Sequence, residues 1–188
     1  MPVPNNPLYT DRELEHQLND SEVTLLVTLD LLVPGMLALK PKTKLKKIIS
    51  AHINDYLPFP IKQLYPRLKK GVYCKYEKAP DYHEFLQLMG GASSKPTGIN
   101  PSLDDLALIP YTGGTTGPSK GVMLTHKNIS YVTQMAQSWF FDFVDKPMRE
   151  LATFPFFHMA GFTAVMNISV INGWTAVLVP SPRRYSTL

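Results

Sequence analysis

The chain has 188 residues with a formal net charge of +4, and 44% of its residues are hydrophobic while 18% are charged. These values are typical of a soluble globular domain with a real core, or of part of a larger one. The single cysteine, Cys74, excludes an intrachain disulfide. Neither a signal peptide nor an apolar run of membrane-spanning length is read from the sequence, so we expect a cytoplasmic protein.

The positive charge is concentrated in residues 40–78, where ten Lys and one Arg face only Asp55 and Glu77. Such a segment can attract anionic lipid headgroups or nucleic acid. Its lysines are scattered among prolines and form no single helical stripe, which favours a solvated face whose acidic counterparts lie elsewhere. We expect no nucleic-acid partner and at most a peripheral contact with a membrane.

Residues 1–54 alternate between helical and strand patterns. A capping box formed by Thr10 and Glu13 predicts an amphipathic helix that runs to about Leu18. A buried strand is predicted over 23–29, a short helix over 34–39 and a second strand over 45–50. This alternation predicts an α/β fold with a mostly parallel sheet covered by helices.

Residues 55–101 are predicted to be rich in loops, because prolines are frequent and long apolar runs are few. One helix is expected over 82–89, where apolar side chains share one face. The remainder is predicted to be surface loop. His16, His52 and His83 are predicted to be surface residues, and no histidine has the spacing of a metal ligand.

Residues 102–188 return to alternating elements. A strand is predicted to open at 104–105, followed by a core-facing helix over 128–141 that the Thr125 hydroxyl caps. A strand over 150–155, a buried helix over 165–171 and a strand over 175–179 then predict a parallel crossover connection.

A stretch rich in glycine and threonine, residues 111–121, lies between the first strand of this segment and its helix. Glycines allow positive φ and let main-chain N–H groups approach a ligand, hydroxyls add donors, and Lys120 adds a cation. No acidic residue falls between Asp105 and Asp142. The stretch predicts a cradle for nucleotide phosphates. Its candidate binding residues are Thr112, Gly113, Gly114, Thr115, Thr116, Gly117, Ser119 and Lys120.

Two common phosphate motifs do not fit this stretch. A Walker A loop needs a glycine where Pro118 stands, and the dinucleotide fingerprint needs a different glycine spacing. The sequence Tyr-Thr-Gly-Gly-Thr-Thr-Gly-Pro-Ser-Lys-Gly instead resembles the signature loop of the adenylate-forming (AMP-binding) superfamily, which includes acyl-CoA synthetases, firefly luciferases and adenylation domains. It departs from that loop at Gly113, which replaces a serine, and at Ser119, which replaces a proline.

A second block, residues 154–162, reads Phe-Pro-Phe-Phe-His-Met-Ala-Gly-Phe at a predicted strand-to-helix junction, where α/β proteins bind ligands. The family has a matching block. The resemblance implies that His158 shapes or gates an acyl pocket and that Met159, Ala160 and Gly161 line it. From the residues alone, His158 could equally be a helix-capping or core histidine.

The resemblance implies a ligase in which a carboxylate attacks the α-phosphate of ATP and the thiol of CoA then displaces AMP. The glycine-rich loop would hold the β- and γ-phosphates, and Thr112 would approach a Mg²⁺ ion. ATP, Mg²⁺ and CoA are the implied cofactor and co-substrates. Fatty acids are the favoured carboxylates and aryl acids the second choice.

The resemblance covers only part of the family's large N-terminal domain, in three segments: 1–54, 55–101 with many loops, and 102–188 with both candidate sites. The family's Tyr-Gly-x-Thr-Glu motif and adenylation lysine are not found, so no catalytic residue is assigned. We expect the isolated chain to form neither acyl-adenylate nor thioester. Two alternatives stay open: a non-catalytic nucleotide- or acyl-binding module, and an interaction fragment completed by the rest of the fold, by a partner chain or in an oligomer.

Overall fold

The computed structural model describes residues 1–68, 81–113, 117–143 and 146–179. Its contacts divide the chain into two compact units. The first unit is Thr10–Ile99, and the second unit combines Met1–Tyr9 with Asn100–Leu188.

The first unit is built on a parallel sheet whose strands lie in the order β1-β2-β3. Leu25 is paired with Lys47, and Ile48 with Tyr82. The strands are β1 (Leu25–Leu29), β2 (Lys47–Ala51) and β3 (Tyr82–Glu84); the helices are α1 (Asp11–Asp20), α2 (Val33–Leu39), α3 (Ile61–Leu68) and α4 (Phe85–Gly91), with 3-10 turns at Asp30–Leu32 and Lys40–Lys42. The predicted α/β class with parallel strands is confirmed.

Apolar side chains from α1, α2 and the sheet form the core of this unit. Leu18 and Val33 are fully buried, and Ile48 is nearly so. The prediction that the first strand is buried throughout is wrong, because burial alternates along β1 and only Leu26 is buried. Side chains alternate between the two faces of a strand, so Leu25, Val27 and Leu29 lie on the face opposite to Leu26 and are exposed.

A close polar contact joins the carboxyl ends of β1 and β2. The His52 Nδ1 atom lies 2.9 Å from Oδ2 of Asp30, whose side chain is 1% exposed. His52, predicted to be a surface residue, is half-buried, because the loop after β2 turns its imidazole toward the carboxylate that follows β1. In a parallel pair these two positions are neighbours, since Leu29 is paired with Ala51.

Two elements in residues 55–101 differ from the prediction of surface loop. Helix α3 forms even though Pro66 lies inside it. Residues Tyr82–Glu84 form β3, and helix α4 starts only at Phe85, because pairing with β2 draws the start of the predicted helix into the sheet. Residues 69–80 lie outside the described part of the chain.

The second unit combines antiparallel and parallel strand pairs. β4 pairs with β7 and β5 with β6 in antiparallel fashion, whereas β8 and β9 are parallel. The strands are β4 (Leu106–Leu108), β5 (Tyr111–Thr112), β6 (Lys120–Gly121), β7 (Leu124–Thr125), β8 (Arg149–Ala152) and β9 (Thr175–Leu178). The helices are α5 (His126–Trp139) and α6 (Ile168–Asn172), with a 3-10 turn at Phe141–Phe143 and a π-helix at Gly161–Asn167.

Helix α5 has the predicted cap but not the predicted burial. Thr125 caps its start, as expected, yet Thr133 is its one buried residue and Trp139 is 84% exposed. The expectation of a core-facing helix is therefore wrong for the described structure. The helix predicted over 165–171 is buried at Val165 and Ile168 but exposed at Val170. No helix in the described ranges is long and apolar enough to cross a membrane.

Candidate nucleotide-phosphate and acyl sites

The glycine-rich stretch forms a hairpin made by β5 and β6. Tyr111 is paired with Gly121 and Thr112 with Lys120, so the candidate loop starts and ends at neighbouring backbone positions. The Thr112 hydroxyl donates a hydrogen bond to the carbonyl of Lys120 at 3.4 Å. Gly113, Gly117 and Ser119 lie on the connecting loop, while Gly114, Thr115 and Thr116 lie outside the described residues.

Gly121 fixes the base of the hairpin. A Cβ atom at this position would lie 2.8 Å from Cγ2 of Ile109 and 3.1 Å from the ring of Tyr111. Because both distances are shorter than ordinary contacts, only glycine lets β6 lie this close to β5. The N–H of Val122 donates to the carbonyl of Pro110 at 2.9 Å and continues the pairing. The sequence reading did not single out Gly121, although it is the glycine that directly follows the candidate lysine.

The hairpin presents its lysine without a carboxylate partner. Lys120 is exposed, and the ion pairs found in the described ranges all lie in the first unit. Among the described residues, no atom comes within 4 Å of a Cβ built at Gly113 or Gly117. An exposed ammonium group on a glycine-rich hairpin is an arrangement that can bind an anion with several oxygens.

The fit to a magnesium ion is limited. Within the residues that the structure describes, no group of three or more His, Cys, Asp or Glu side chains could hold a metal. Thr112 offers one neutral hydroxyl oxygen, whereas Mg²⁺ prefers carboxylates, phosphate oxygens and water. The hairpin could therefore supply one ligand to an ion that arrives bound to a phosphate chain.

The second candidate block forms a tight turn between β8 and the π-helix. The N–H of His158 donates to the carbonyl of Pro155 at 3.1 Å, and the N–H of Phe162 donates to the carbonyl of His158 at 2.9 Å. The N–H of Ala160 donates to Nδ1 of His158 at 3.2 Å. His158 is exposed, so of the alternatives left open by the sequence the structure excludes a core histidine and favours one that caps the helix start.

The hydrogen bond from Ala160 defines the tautomer of His158. Because Nδ1 accepts a hydrogen bond, a neutral imidazole at this position carries its hydrogen on Nε2. His158 can thus donate a hydrogen bond from Nε2 while its ring is held by Nδ1. Met159 and Ala160 are half-buried beside it.

Gly161 lets the turn close. A Cβ atom at this buried position would lie 2.3 Å from the carbonyl oxygen of Pro155. The π-helix that begins here is a rare form that often occurs at functional sites. Helix α5 contacts both this π-helix and β7, the strand that follows the hairpin.

Comparisons with known proteins agree with this geometry. The family model described as AMP-binding enzyme matches residues 1–188. A long-chain-fatty-acid–CoA ligase of Bacillus subtilis is 42% identical over 182 residues, covering 95% of this chain and 32% of the relative. A ligase of the same name from Haemophilus influenzae is 33% identical and covers 95% and 33%. The crystal structure of a long-chain-fatty-acid-CoA ligase from Archaeoglobus fulgidus superposes with a TM-score of 0.67 at 27% identity, covering 94% of this chain and 29% of that one.

The α/β fold therefore matches about a third of an adenylate-forming enzyme, within its N-terminal domain. The chain belongs to the AMP-binding enzyme family. It spans about a third of the length of the curated relatives that it matches.

Proposed function

We propose that these residues form part of an ATP-dependent, AMP-forming ligase that activates a long-chain fatty acid and transfers it to CoA. The observation that carries the proposal is the β5–β6 hairpin, in which Lys120 is paired by register with Thr112 at the two ends of a glycine-rich loop and takes part in no ion pair among the described residues. The names of the relatives support the substrate class. The proposed enzyme works in the cytoplasm, where ATP and CoA are available.

In the proposed reaction a fatty-acid carboxylate attacks the α-phosphorus of ATP and pyrophosphate leaves. Two anions must approach each other, so the reaction depends on positioning and on neutralising charge. The ammonium group of Lys120 and the N–H groups of Gly113, Gly117 and Ser119 would hold the β- and γ-phosphates and the departing pyrophosphate. Thr112 would add one hydroxyl ligand to the Mg²⁺ ion that ATP brings.

His158 would bind an oxygen of the substrate through its Nε2–H group. Its Nδ1 atom accepts the Ala160 N–H and so is not available as a base. Met159, Ala160 and Gly161 would line the adjacent acyl pocket. The carboxylate of the fatty acid, or the carbonyl of the acyl-adenylate, is the acceptor that this donor fits.

The proposal is tested by palmitate-dependent exchange between ATP and labelled pyrophosphate, measured on the complete ligase that contains this sequence. Lys120→Gln should lower the exchange rate by about 10²-fold, because one preorganised charge contact is lost. Lys127→Gln makes the same change in charge on α5, where the lysine lies over the ring of Tyr131, and should leave the rate within about twofold. Equal effects of the two variants would contradict the proposed role of Lys120. We expect the 188-residue chain alone to give no exchange.

The role of His158 is tested with a matched pair of variants. Asparagine can replace Nδ1 as acceptor for the Ala160 N–H but lacks the Nε2 donor, whereas glutamine can place an amide N–H near the Nε2 position. His158→Gln should therefore retain more fatty-acid-dependent activity than His158→Asn. The difference should appear as a lower KM for the fatty acid or a higher kcat in His158→Gln. The reverse order would exclude donation from Nε2.

One observation favours a second candidate, an interaction fragment completed by further chain. The β8–β9 pair exposes apolar side chains, with Leu151 and Leu178 more than half exposed, whereas parallel sheets are ordinarily covered on both faces. Such a fragment would self-associate or bind other chain through this pair. Leu151→Thr should then abolish association measured by sedimentation velocity, while nucleotide binding stays unchanged.

A further inference from the structure

Residues 53–68 of the first unit form a surface with an unusual share of exposed apolar side chains. Ile61, Leu64 and Leu68 lie at helical spacing on one side of α3, and all are exposed. None of the residues of α3 is buried. Before the helix, Tyr56 is exposed and Phe59 is 83% exposed. We call residues 53–68 the α3 surface.

The aromatic loop and the helix are held together by hydrogen bonds. The N–H of Lys62 donates to the carbonyl of Pro58 at 3.0 Å, and the N–H of Leu64 donates to the carbonyl of Pro60 at 3.2 Å. The side-chain amide of Asn54 donates to the carbonyl of Lys62 at 2.9 Å. Phe59 is therefore presented to solvent by an ordered turn.

The basic segment of the sequence has two parts that differ in their charge partners. In its first part, residues 40–47, three of the five lysines form ion pairs: Lys40 with Asp81, Lys42 with Glu15 and Lys44 with Glu22. This pairing is what a solvated face with acidic counterparts predicts.

The part that follows has no such counterparts. The sequence contains no acidic residue over 56–76, where it has four lysines and one arginine. On the α3 surface, the Lys62 ammonium donates to the backbone carbonyl of Asp55 at 2.8 Å, and Arg67 is exposed. Neither side chain takes part in an ion pair among the described residues.

We propose that the α3 surface binds membranes that contain anionic lipids. Tyr56, Phe59 and the apolar side of α3 enter the boundary between headgroups and acyl chains, and Lys62 and Arg67 meet the lipid phosphates. An exposed amphipathic helix with basic and aromatic residues has the chemistry of an interfacial element. Lys62 and Arg67 outnumber Asp55 on this surface, and this excess of positive charge beside exposed aromatic and aliphatic side chains favours an anionic lipid surface as the partner. The proposal is independent of the ligase activity.

The test is co-sedimentation of the full chain with vesicles of phosphatidylcholine, alone or with 30 mol% phosphatidylglycerol. Binding should require the anionic lipid and should weaken as salt is raised, because the lysine and arginine contacts are screened. Phe59→Ser should lower the partition coefficient about tenfold, since an aromatic anchor is lost from the interface. Arg67→Gln should weaken binding to anionic vesicles several-fold.

A matched control comes from the second unit. Trp139, the last residue of α5, is exposed to the same degree as Phe59. Trp139→Ser therefore removes an equally exposed aromatic ring that lies outside the α3 surface. It should change the partition coefficient by less than about twofold. Far-UV circular dichroism verifies that both variants fold.

Three results would overturn the proposal. The first is no binding of the wild-type chain to anionic vesicles at low salt. The second is an equal loss with Phe59→Ser and Trp139→Ser, which would indicate non-specific apolar adsorption. The third is self-association that Phe59→Ser abolishes without any vesicle binding, which would assign the surface to a second copy of the chain.

Discussion

Helices α1 and α5 begin with the same N-terminal capping motif but differ in how much of each helix is buried. The Thr10 hydroxyl accepts the N–H of Glu13, whose carboxylate accepts the N–H of Thr10 at 2.8 Å. In α5, Thr125 and Asn128 make the same reciprocal bonds, the N–H of Thr125 reaching the Asn128 amide oxygen at 2.9 Å. Yet α1 buries Leu14, Gln17 and Leu18, whereas α5 buries only Thr133.

The difference separates two causes of helix stability. A capping box supplies hydrogen-bond acceptors to N–H groups of the first turn from residues of the same short segment. It therefore forms wherever the sequence has the two capping residues at the right spacing. Burial requires other elements to cover the apolar face. In the first unit α2 packs against α1, while Trp139 at the end of α5 remains exposed in the described structure.

The largest expected effect tests this difference in burial. Leu18 is fully buried, so Leu18→Ala should lower the free energy of unfolding by about 3 kcal/mol, from lost burial and the cavity that remains. Met135→Ala removes an exposed side chain from α5 and should cost less than about 0.5 kcal/mol. Urea unfolding of both variants measures the two costs. Similar costs would show that α5 is covered in solution and that the two helices do not differ in burial.

The next effect concerns the buried pair at the ends of β1 and β2. Asp30→Asn keeps the shape of the side chain but removes the charge that faces His52, and it should cost about 2 kcal/mol in urea unfolding. Asp55→Asn is the control, because its carboxylate is less buried and accepts the His52 backbone N–H. A smaller loss of stability for Asp30→Asn than for Asp55→Asn would show that the contact between Asp30 and His52 does not stabilise the fold.

The two caps provide a smaller and more equal effect. Thr10→Ala and Thr125→Ala should each cost about 1 kcal/mol, because each leaves an N–H group of the first turn without its acceptor. Amide hydrogen exchange in each first turn measures the local loss. If only Thr10→Ala increased exchange, the cap of α5 would contribute nothing to the stability of its first turn. The two helices would then differ in capping as well as in burial.

The smallest effect is a pH dependence found in one helix only. Hydrogen bonds from the hydroxyl and the backbone N–H of Thr10 hold the pKa of Glu13 below its ordinary value. The stabilisation of α1 by this carboxylate is therefore present above the ordinary pKa and is lost as the pH falls through the lowered pKa of the folded state. Asn128, at the same position in α5, does not titrate. NMR titration of the Glu13 carboxyl should show the lowered pKa in the wild type and a higher pKa of Glu13 in Thr10→Ala. The same pKa in both proteins would contradict the hydrogen bonds of the capping box.

The features predicted correctly from the sequence are those set by neighbouring residues. Both threonine caps, the parallel β–α units and the strand that leads into the glycine-rich loop follow from local patterns. The features that were missed depend on distant contacts: β3 forms because Tyr82–Glu84 pairs with β2, and His52 is half-buried because Asp30 lies at the end of the neighbouring strand. In α3 the prolines of 58–66 concealed a helix that the surrounding hydrogen bonds support.

The candidate site shows the same division. Thr112 and Lys120 follow from the motif, whereas the need for Gly121 becomes visible only when the ring of Tyr111 is seen against it. The proposed donor role of His158 likewise depends on the Ala160 N–H, two residues further along the chain. The roles of the loop residues, including Gly114, Thr115 and Thr116, stay predictions.

The central claim is that the β5–β6 hairpin binds nucleotide phosphates, and an ATP titration of the ¹⁵N-labelled chain tests it most directly. The account predicts saturable shifts at the amides of Gly113, Gly117, Ser119 and Lys120, which pyrophosphate reproduces and Lys120→Gln weakens. The claim would be contradicted if the chemical shifts of the hairpin amides did not change while signals elsewhere in the chain responded to ATP.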